Sequence, residues 1–406
     1  MPYIIYMTIR IAAIVFLTSI IYLPAQSQIK GTLWDVPAIY KTPAYETISS
    51  DSAIGIVYTG LNYRDTTQRV FAYYATPGTL SGNREGDHHL PAVVLVHGGG
   101  GTAFREWAIL WAKKGYAAIA MDLRGNGPGR VHLENGFVEP GGKTPYFTIT
   151  PSLEDQWMYQ AVADVILAHN LLRSMPEVDS NRTAITGISW GGIITSLMAG
   201  VDDRYKAAVP VYGCGYLYEN SAMKKELDLL ATADRQTWVQ QYDPSQYIGK
   251  AGMPVLFVNG TNDGHFYLDS YAKTYQLVRS RNLSIKVGLK HNHRYGWENE
   301  EVAGFINSYL NHTPPLAIIK KIAIKKNRVI ASVQSSVPLS AAALHYTTDT
   351  AALLKDKQWQ TVKVTVDKQM IQSPLPPAGT LLWFLTVIDE RGMQTSSEIQ
   401  FQPLRQ

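Results

Sequence analysis

From about residue 53 to residue 310 the chain alternates between short, continuous apolar runs and longer stretches with apolar residues at helical spacing, and this alternation constrains the fold more than any other feature. The runs "AVVLVH" (92 to 97), "YAAIAMD" (116 to 122), "RTAITG" (182 to 187), "AAVPVY" (207 to 212), "PVLFVN" (254 to 259) and "SIKVGL" (284 to 289) read as strands. Between them, "AFREWAILWAKKG" ends on Gly115 as a helix does, and residues 153 to 174 repeat apolar side chains at Val162, Val165, Ile166 and Leu172. Strands that are apolar on both faces and alternate with helices imply an α/β fold with a mostly parallel sheet covered by helices. Two earlier runs, "IGIVYTGLNY" and "RVFAYYATP", are joined through "RDTTQ" and read as a hairpin.

After "NHTPPL" the helical period disappears. Only short β-like runs follow, among them "RVIASV", "WQTVKVTV" and "LLWFLTVID", so residues 314–406 are expected to form an all-β sandwich module. A chain of 406 residues with 46% hydrophobic content accommodates two such units, each with its own core. The link at Thr313–Pro315 suggests an accessory unit; if so, a chain ending near residue 313 keeps activity on small soluble substrates.

The first 27 residues read as a signal peptide. Arg10 precedes "IAAIVFLTSIIYLPA", and "AQS" supplies the small residues of a cleavage site, leaving 28–313 for the first folded domain. The apolar core of about 15 residues is shorter than the ~20 needed to span a bilayer, so no stable membrane insertion is expected after cleavage. Export to the periplasm or the medium follows. Cys214 is the single cysteine, which excludes an intrachain disulfide. The net charge of +4 is small for this length, and the basic residues form no aromatic-interleaved patch, so nucleic acid is not an expected partner.

Chemistry enters at "GISWGG", residues 187 to 192. Between a strand and a helix, G-x-S-x-G makes a turn so sharp that neighbouring side chains must be absent, and it lifts the serine hydroxyl above the sheet. Ser189 is therefore the candidate nucleophile. An acid and a histidine should follow in that order, each beyond a strand. Asp263 in "NGTNDGHF" supplies the acid. "KHNHRYGW" supplies two histidines, His291 and His293. His293 is expected to be the base, because it lies farther out on the loop, whereas His291 sits near the expected strand end at residue 289; a supporting role for His291 stays open.

The oxyanion of a tetrahedral intermediate needs amide donors. The N–H of Trp190, which follows the nucleophile, is one candidate, and Gly99 of "HGGGG" (97 to 101), with Gly100 next, is the other. No G-K-[ST] follows these glycines, so they do not read as a phosphate cradle. Neither His97, His88–His89 nor the H-x-H pair comes with the ligand spacing of a metal site, and no cofactor or metal is expected. Residues 213 to 250 are too long for a plain connection and should form a cap over the pocket.

With "VVLVHGGGGTAFREW", "GYAAIAMDLRGNG", "ITGISWGG" and "HNHRYGW", residues 53 to 310 resemble the α/β-hydrolase superfamily, and within it the exported acetyl xylan esterases and prolyl-oligopeptidase-like hydrolases. The C-terminal module resembles fibronectin-like or immunoglobulin-like sandwiches. The resemblance implies a secreted serine hydrolase that cleaves carboxylic esters through an acyl-enzyme, with an acetylated polysaccharide or oligosaccharide as substrate and no cofactor. A prolyl-oligopeptidase-like peptidase and a non-catalytic glycan-binding protein are the competing readings. In the better-known acetyl xylan esterases aromatic residues follow "HG", where this chain has glycines.

Overall fold

The computed structural model describes residues 29–138, 145–351 and 354–401. The expected leader at 1–27 lies outside the described residues. Among the described residues, no helix is long and apolar enough to cross a membrane.

Among the described residues, the first domain is built on nine strands: β1 (Tyr45–Ser49), β2 (Ile54–Tyr63), β3 (Thr66–Ala75), β4 (Leu90–Val96), β5 (Ala117–Met121), β6 (Val178–Ile188), β7 (Ala207–Val211), β8 (Val255–Gly260) and β9 (Arg281–Lys286). They lie in the order β1-β2-β3-β5-β4-β6-β7-β8-β9. The hairpin β2–β3 pairs antiparallel as the sequence predicts, while β5 through β9 are joined by parallel pairings. Residues Ala92 to Val96 are buried without a break, because helices cover both faces of β4.

The chain order reverses at β4. It steps to β5 on one side and then crosses back to β6 on the other, so right-handed crossovers send the connecting helices to opposite faces. Helix Arg105–Lys113 follows β4, and helix Trp157–Ser174 precedes β6. The loops after β4 and β6 therefore diverge over a crevice at the C-terminal edge of the sheet, where α/β proteins bind their ligands. "HGGGG" and Ser189 sit on these two loops.

A buried polar cluster lies away from this crevice. His169 Nδ1 is 2.8 Å from Asp202 Oδ2, and its Nε2 is 2.9 Å from Thr183 Oγ1. All three residues are 0% exposed.

The C-terminal module is antiparallel throughout. Strands β10 (Ile318–Lys325), β11 (Arg328–Gln334), β12 (Leu339–Thr347), β13 (Gln360–Asp367), β14 (Met370–Pro374), β15 (Leu382–Asp389) and β16 (Gln394–Ser396) follow the order β10-β11-β14-β13-β12-β15-β16. Val329, Val333, Leu344, Ile371, Trp383 and Leu385 fill a core of its own. Its β16 lies beside β9, the edge of the large sheet: the Ile285 N–H donates to Ser396 Oγ at 3.0 Å, and the Ser284 hydroxyl donates to the Gln394 carbonyl at 3.0 Å. Arg281 pairs with Glu398 across the same seam.

Candidate active site

Ser189 stands between β6 and helix Trp190–Val201 with φ 60° and ψ −116°, a left-handed conformation that is strained for a residue with a side chain. The glycines around it are dictated by close approach. A Cβ on Gly187 would lie 2.2 Å from the Gly191 carbonyl oxygen, and one on Gly191 would lie 2.0 Å from that of Val96. The turn is fastened by the Ser189 N–H, which donates to the Val211 carbonyl at 2.9 Å. The first N–H groups of the following helix, Trp190 included, have no partner within the helix.

Asp263 follows β8 and is 1% exposed. Its Oδ1 accepts the backbone N–H groups of His265 at 2.7 Å and Phe266 at 3.0 Å, which hold the carboxylate in one orientation. Its Oδ2 meets His291 Nδ1 at 2.7 Å. His291 Nε2 in turn lies 2.9 Å from Ser189 Oγ. The Asp263–His291–Ser189 chain is thus continuous, with the ring of His291 packed between Tyr212 and Phe266. Such a chain lets an imidazole take a hydroxyl proton while a fixed carboxylate stabilises the charge it acquires.

The expectation that His293 bridges Ser189 and Asp263 is corrected here. Strand β9 ends at Lys286 rather than at residue 289, and Gly288 turns the chain with φ +70°. His291 therefore lies five residues past the strand and reaches the serine. His293 begins the short helix His293–Trp297 and faces the glycine loop, where its Nε2 accepts the Gly98 N–H at 3.0 Å. Burial pushes its pKa down to about 4, with the neighbouring His97, His291 and Arg130 acting in the same direction.

Two histidines clamp Gly98. The Leu123 N–H donates to Nε2 of buried His97 at 3.0 Å, which leaves Nδ1 as the protonated nitrogen that donates to the Gly98 carbonyl at 2.7 Å. The Gly101 N–H donates to that carbonyl at 2.9 Å. Because the peptide is planar and trans, fixing the Gly98 carbonyl also fixes the opposed N–H of Gly99. Gly99 lies against Trp190, whose ring would meet a Cβ there at 2.4 Å.

A cavity of about 510 Å³ opens over Ser189, and Gly99, Trp190, Met223, Lys225, Glu226 and His265 are among the residues that line it. The segment after β7 folds into helices Lys224–Leu227 and Thr232–Tyr242, and its residues Met223, Lys225 and Glu226 reach the cavity wall. Desolvation raises the pKa of Glu226 and lowers that of His265. Tyr146 also lines the cavity, and its hydroxyl accepts the Gly100 N–H at 3.3 Å. No motif flagged Tyr146, Lys225, Glu226 or His265; the cap length was the one signal for the middle pair. Tyr212 and Phe266 are fully buried and contact the cavity only through the His291 ring they pack against.

Asp263, His265 and His291 bring ligand atoms within 4.8 Å of one another. Both Asp263 oxygens and both His291 nitrogens already hold hydrogen bonds within the chain, so a cation there competes with the serine relay.

The family model for acetyl xylan esterase matches residues 39–245. A sequence relative, the uncharacterized peptidase YuxL of Bacillus subtilis (strain 168), is 28% identical over 197 residues; the match covers 44% of this chain and 27% of that protein. Among solved structures, the acetyl xylan esterase from Paenibacillus sp. R4 superposes with a TM-score of 0.53 at 21% identity, covering 66% of this chain and 90% of that one. Acetyl xylan esterase 1 from Thermoanaerobacterium sp. JW/SL YS485 gives 0.51 at 19% identity, covering 66% and 88%. The fold of the first domain is that of the α/β-hydrolases, with the antiparallel β module added at its C-terminus.

Proposed function

We propose that this chain, which belongs to the acetyl xylan esterase family, is a serine esterase that removes acetyl groups from carbohydrate through an acyl-enzyme. The observation that carries this reading is the hydrogen-bonded chain from Asp263 through His291 to Ser189, open to a cavity of about 510 Å³. Ser189 Oγ attacks the ester carbonyl as His291 Nε2 takes its proton. The N–H groups of Trp190 and Gly99 receive the oxyanion, a role supported by the fixed Gly98–Gly99 peptide and by their common position on the cavity wall. Collapse of the tetrahedral intermediate returns the proton to the leaving alcohol and leaves acetyl on Ser189. Water, activated by the same imidazole, releases acetate and restores the hydroxyl. Action outside the cytoplasm is supported by the leader-like segment 1–27.

Similarity to a Bacillus protein named as a peptidase favours peptide hydrolysis as the second reading. A panel of p-nitrophenyl acetate, longer acyl esters, acetylated xylan and aminoacyl anilides separates the two. Acetyl esters should be the best substrates, and Ser189→Ala should lower their turnover by at least ~10³-fold. Anilide cleavage outpacing acetyl release, or a Ser189→Ala protein with undiminished turnover, defeats the proposal.

A further inference from the structure

We propose that the C-terminal module is a working part of the active site, and that its turn at Leu354–Lys357 positions Asp263 through the side chain of Asn262. The inference rests on the reading of Ser189, His291 and Asp263 as the reacting trio. Asn262 immediately precedes Asp263 on the loop after β8, and its side chain points away from the cavity into the module. Its amide nitrogen donates to the carbonyls of Lys357 at 2.8 Å and Lys355 at 3.1 Å, with that of Leu354 at 3.4 Å. These carbonyls belong to a turn in the long connection between β12 and β13, more than 90 residues away in sequence. The amide oxygen accepts the hydroxyl of buried Thr261 at 2.7 Å, and that hydroxyl also receives the Gly288 N–H at 3.1 Å from the loop leading to His291.

One amide group thus ties three segments together: the acid loop, the histidine loop and the module. The turn is not merely nearby, since Gly264, on the other side of Asp263, lies under the Lys355 side chain. The module also grips the strand that carries the histidine, through Ser396 on the Ile285 N–H and Gln394 on Ser284. Both groups that must meet at 2.7 Å, the Asp263 carboxylate and the His291 imidazole, are therefore braced by the same unit. Side chains that react must be held within a fraction of an ångström, and a displacement of about 1 Å can cost on the order of 10²-fold in rate. Asn262 touches no reacting atom and acts through its neighbour, so it is a positioning residue.

The experiment uses the full chain and p-nitrophenyl acetate. Asn262→Leu keeps the bulk but cannot donate, and Asn262→Asp keeps the acceptor for Thr261 but cannot donate either. Both should lose about 10- to 100-fold in kcat with KM changed by less than about 3-fold, while Asn262→Gln, which retains the amide, should recover part of the loss. Replacing residues 349 to 358 by an Asn-Gly turn removes the acceptors. It should cost a similar factor, and adding Asn262→Leu to it should cost nothing more, because the two changes break one contact. Wild-type kcat in Asn262→Leu, or losses that multiply in the combined variant, overturns the inference. If the shortened hairpin does not fold, the three Asn262 variants decide alone. Ser189→Ala, measured alongside, keeps the two readings apart: full activity there removes the trio itself, whereas an inactive Ser189→Ala beside a fully active Asn262→Leu removes only the brace.

Discussion

The backbone N–H of Gly98 donates to Nε2 of His293 at 3.0 Å, so the second histidine of the H-x-H pair serves the glycine loop and not the serine. The pair divides its labour between the nucleophile and the loop that faces it across the cavity.

The two histidine variants should therefore differ in kind. His291→Ala should match Ser189→Ala, with at least ~10³-fold loss of turnover. His293→Ala should cost on the order of 10-fold, since it frees the Gly98 peptide without removing the base. Steady-state kinetics and the rate of fluorophosphonate labelling both report this ranking, and equal losses in the two variants would contradict it.

The glycines of the elbow predict a difference in stability. Gly191→Ala drives a Cβ against two main-chain carbonyls at the end of β4, those of Val96 and His97, which cannot swing aside. It should cost about 3 kcal/mol or fail to fold, the upper range for overpacking. Gly82→Ala meets nothing within 4 Å but must adopt φ +75°, and should cost roughly 1 kcal/mol. Urea unfolding of the two variants measures the contrast; similar losses would contradict it.

Stability should fall on mild acidification. Burial holds the imidazoles of His169, His293 and His345 neutral, with pKa values lowered from 6.5 to about 4. Between these values the unfolded chain takes up protons that the folded chain refuses, so stability rises with pH there and is lost as pH drops from about 6.5 towards 4. The upper part of this window is set by the imidazoles, while burial raises the pKa of the carboxyls of Asp164, Asp243 and Glu226, which act in the opposite direction and blunt the loss. Melting temperatures across pH 4.5 to 7.5 test this, and a flat profile would refute it.

Truncation near residue 313 should harm the protein by exposing an edge. Without the module, β9 loses the caps on Ser284 and Ile285, and the large sheet presents unpaired backbone groups to other copies. A chain ending at residue 313 should form soluble aggregates on size exclusion. A monomeric, active fragment would restore the module to the accessory unit that the Pro-containing link suggests.

Much of this architecture is legible in the residues. Apolar runs of strand length mark β4 to β8, and the glycines around Ser189 mark the elbow because no other residue fits between Val96 and the helix. The order of serine, acid and histidine then leads to Asp263. The choice between His291 and His293 fails because it depends on where β9 ends, and the apolar Val287 and Leu289 prolong the strand pattern past the turn at Gly288. The brace at Asn262 has no local signal at all. An asparagine before an aspartate reads as turn chemistry, and its partners are main-chain carbonyls that carry no side-chain identity.

The cluster of Thr183, His169 and Asp202 bears on how such sites are recognised. Its hydroxyl–imidazole–carboxylate distances, 2.9 and 2.8 Å, are as good as those of Ser189, His291 and Asp263, at 2.9 and 2.7 Å. A template search that scores separations alone ranks the two constellations together. What distinguishes them is admission: Thr183 is sealed inside the domain, whereas Ser189 faces a cavity that an electrophile can enter. In a proteome labelled with an activity-based probe, this chain should yield one modified peptide, the one spanning the β6–helix turn, although its described residues hold two trios of matching geometry.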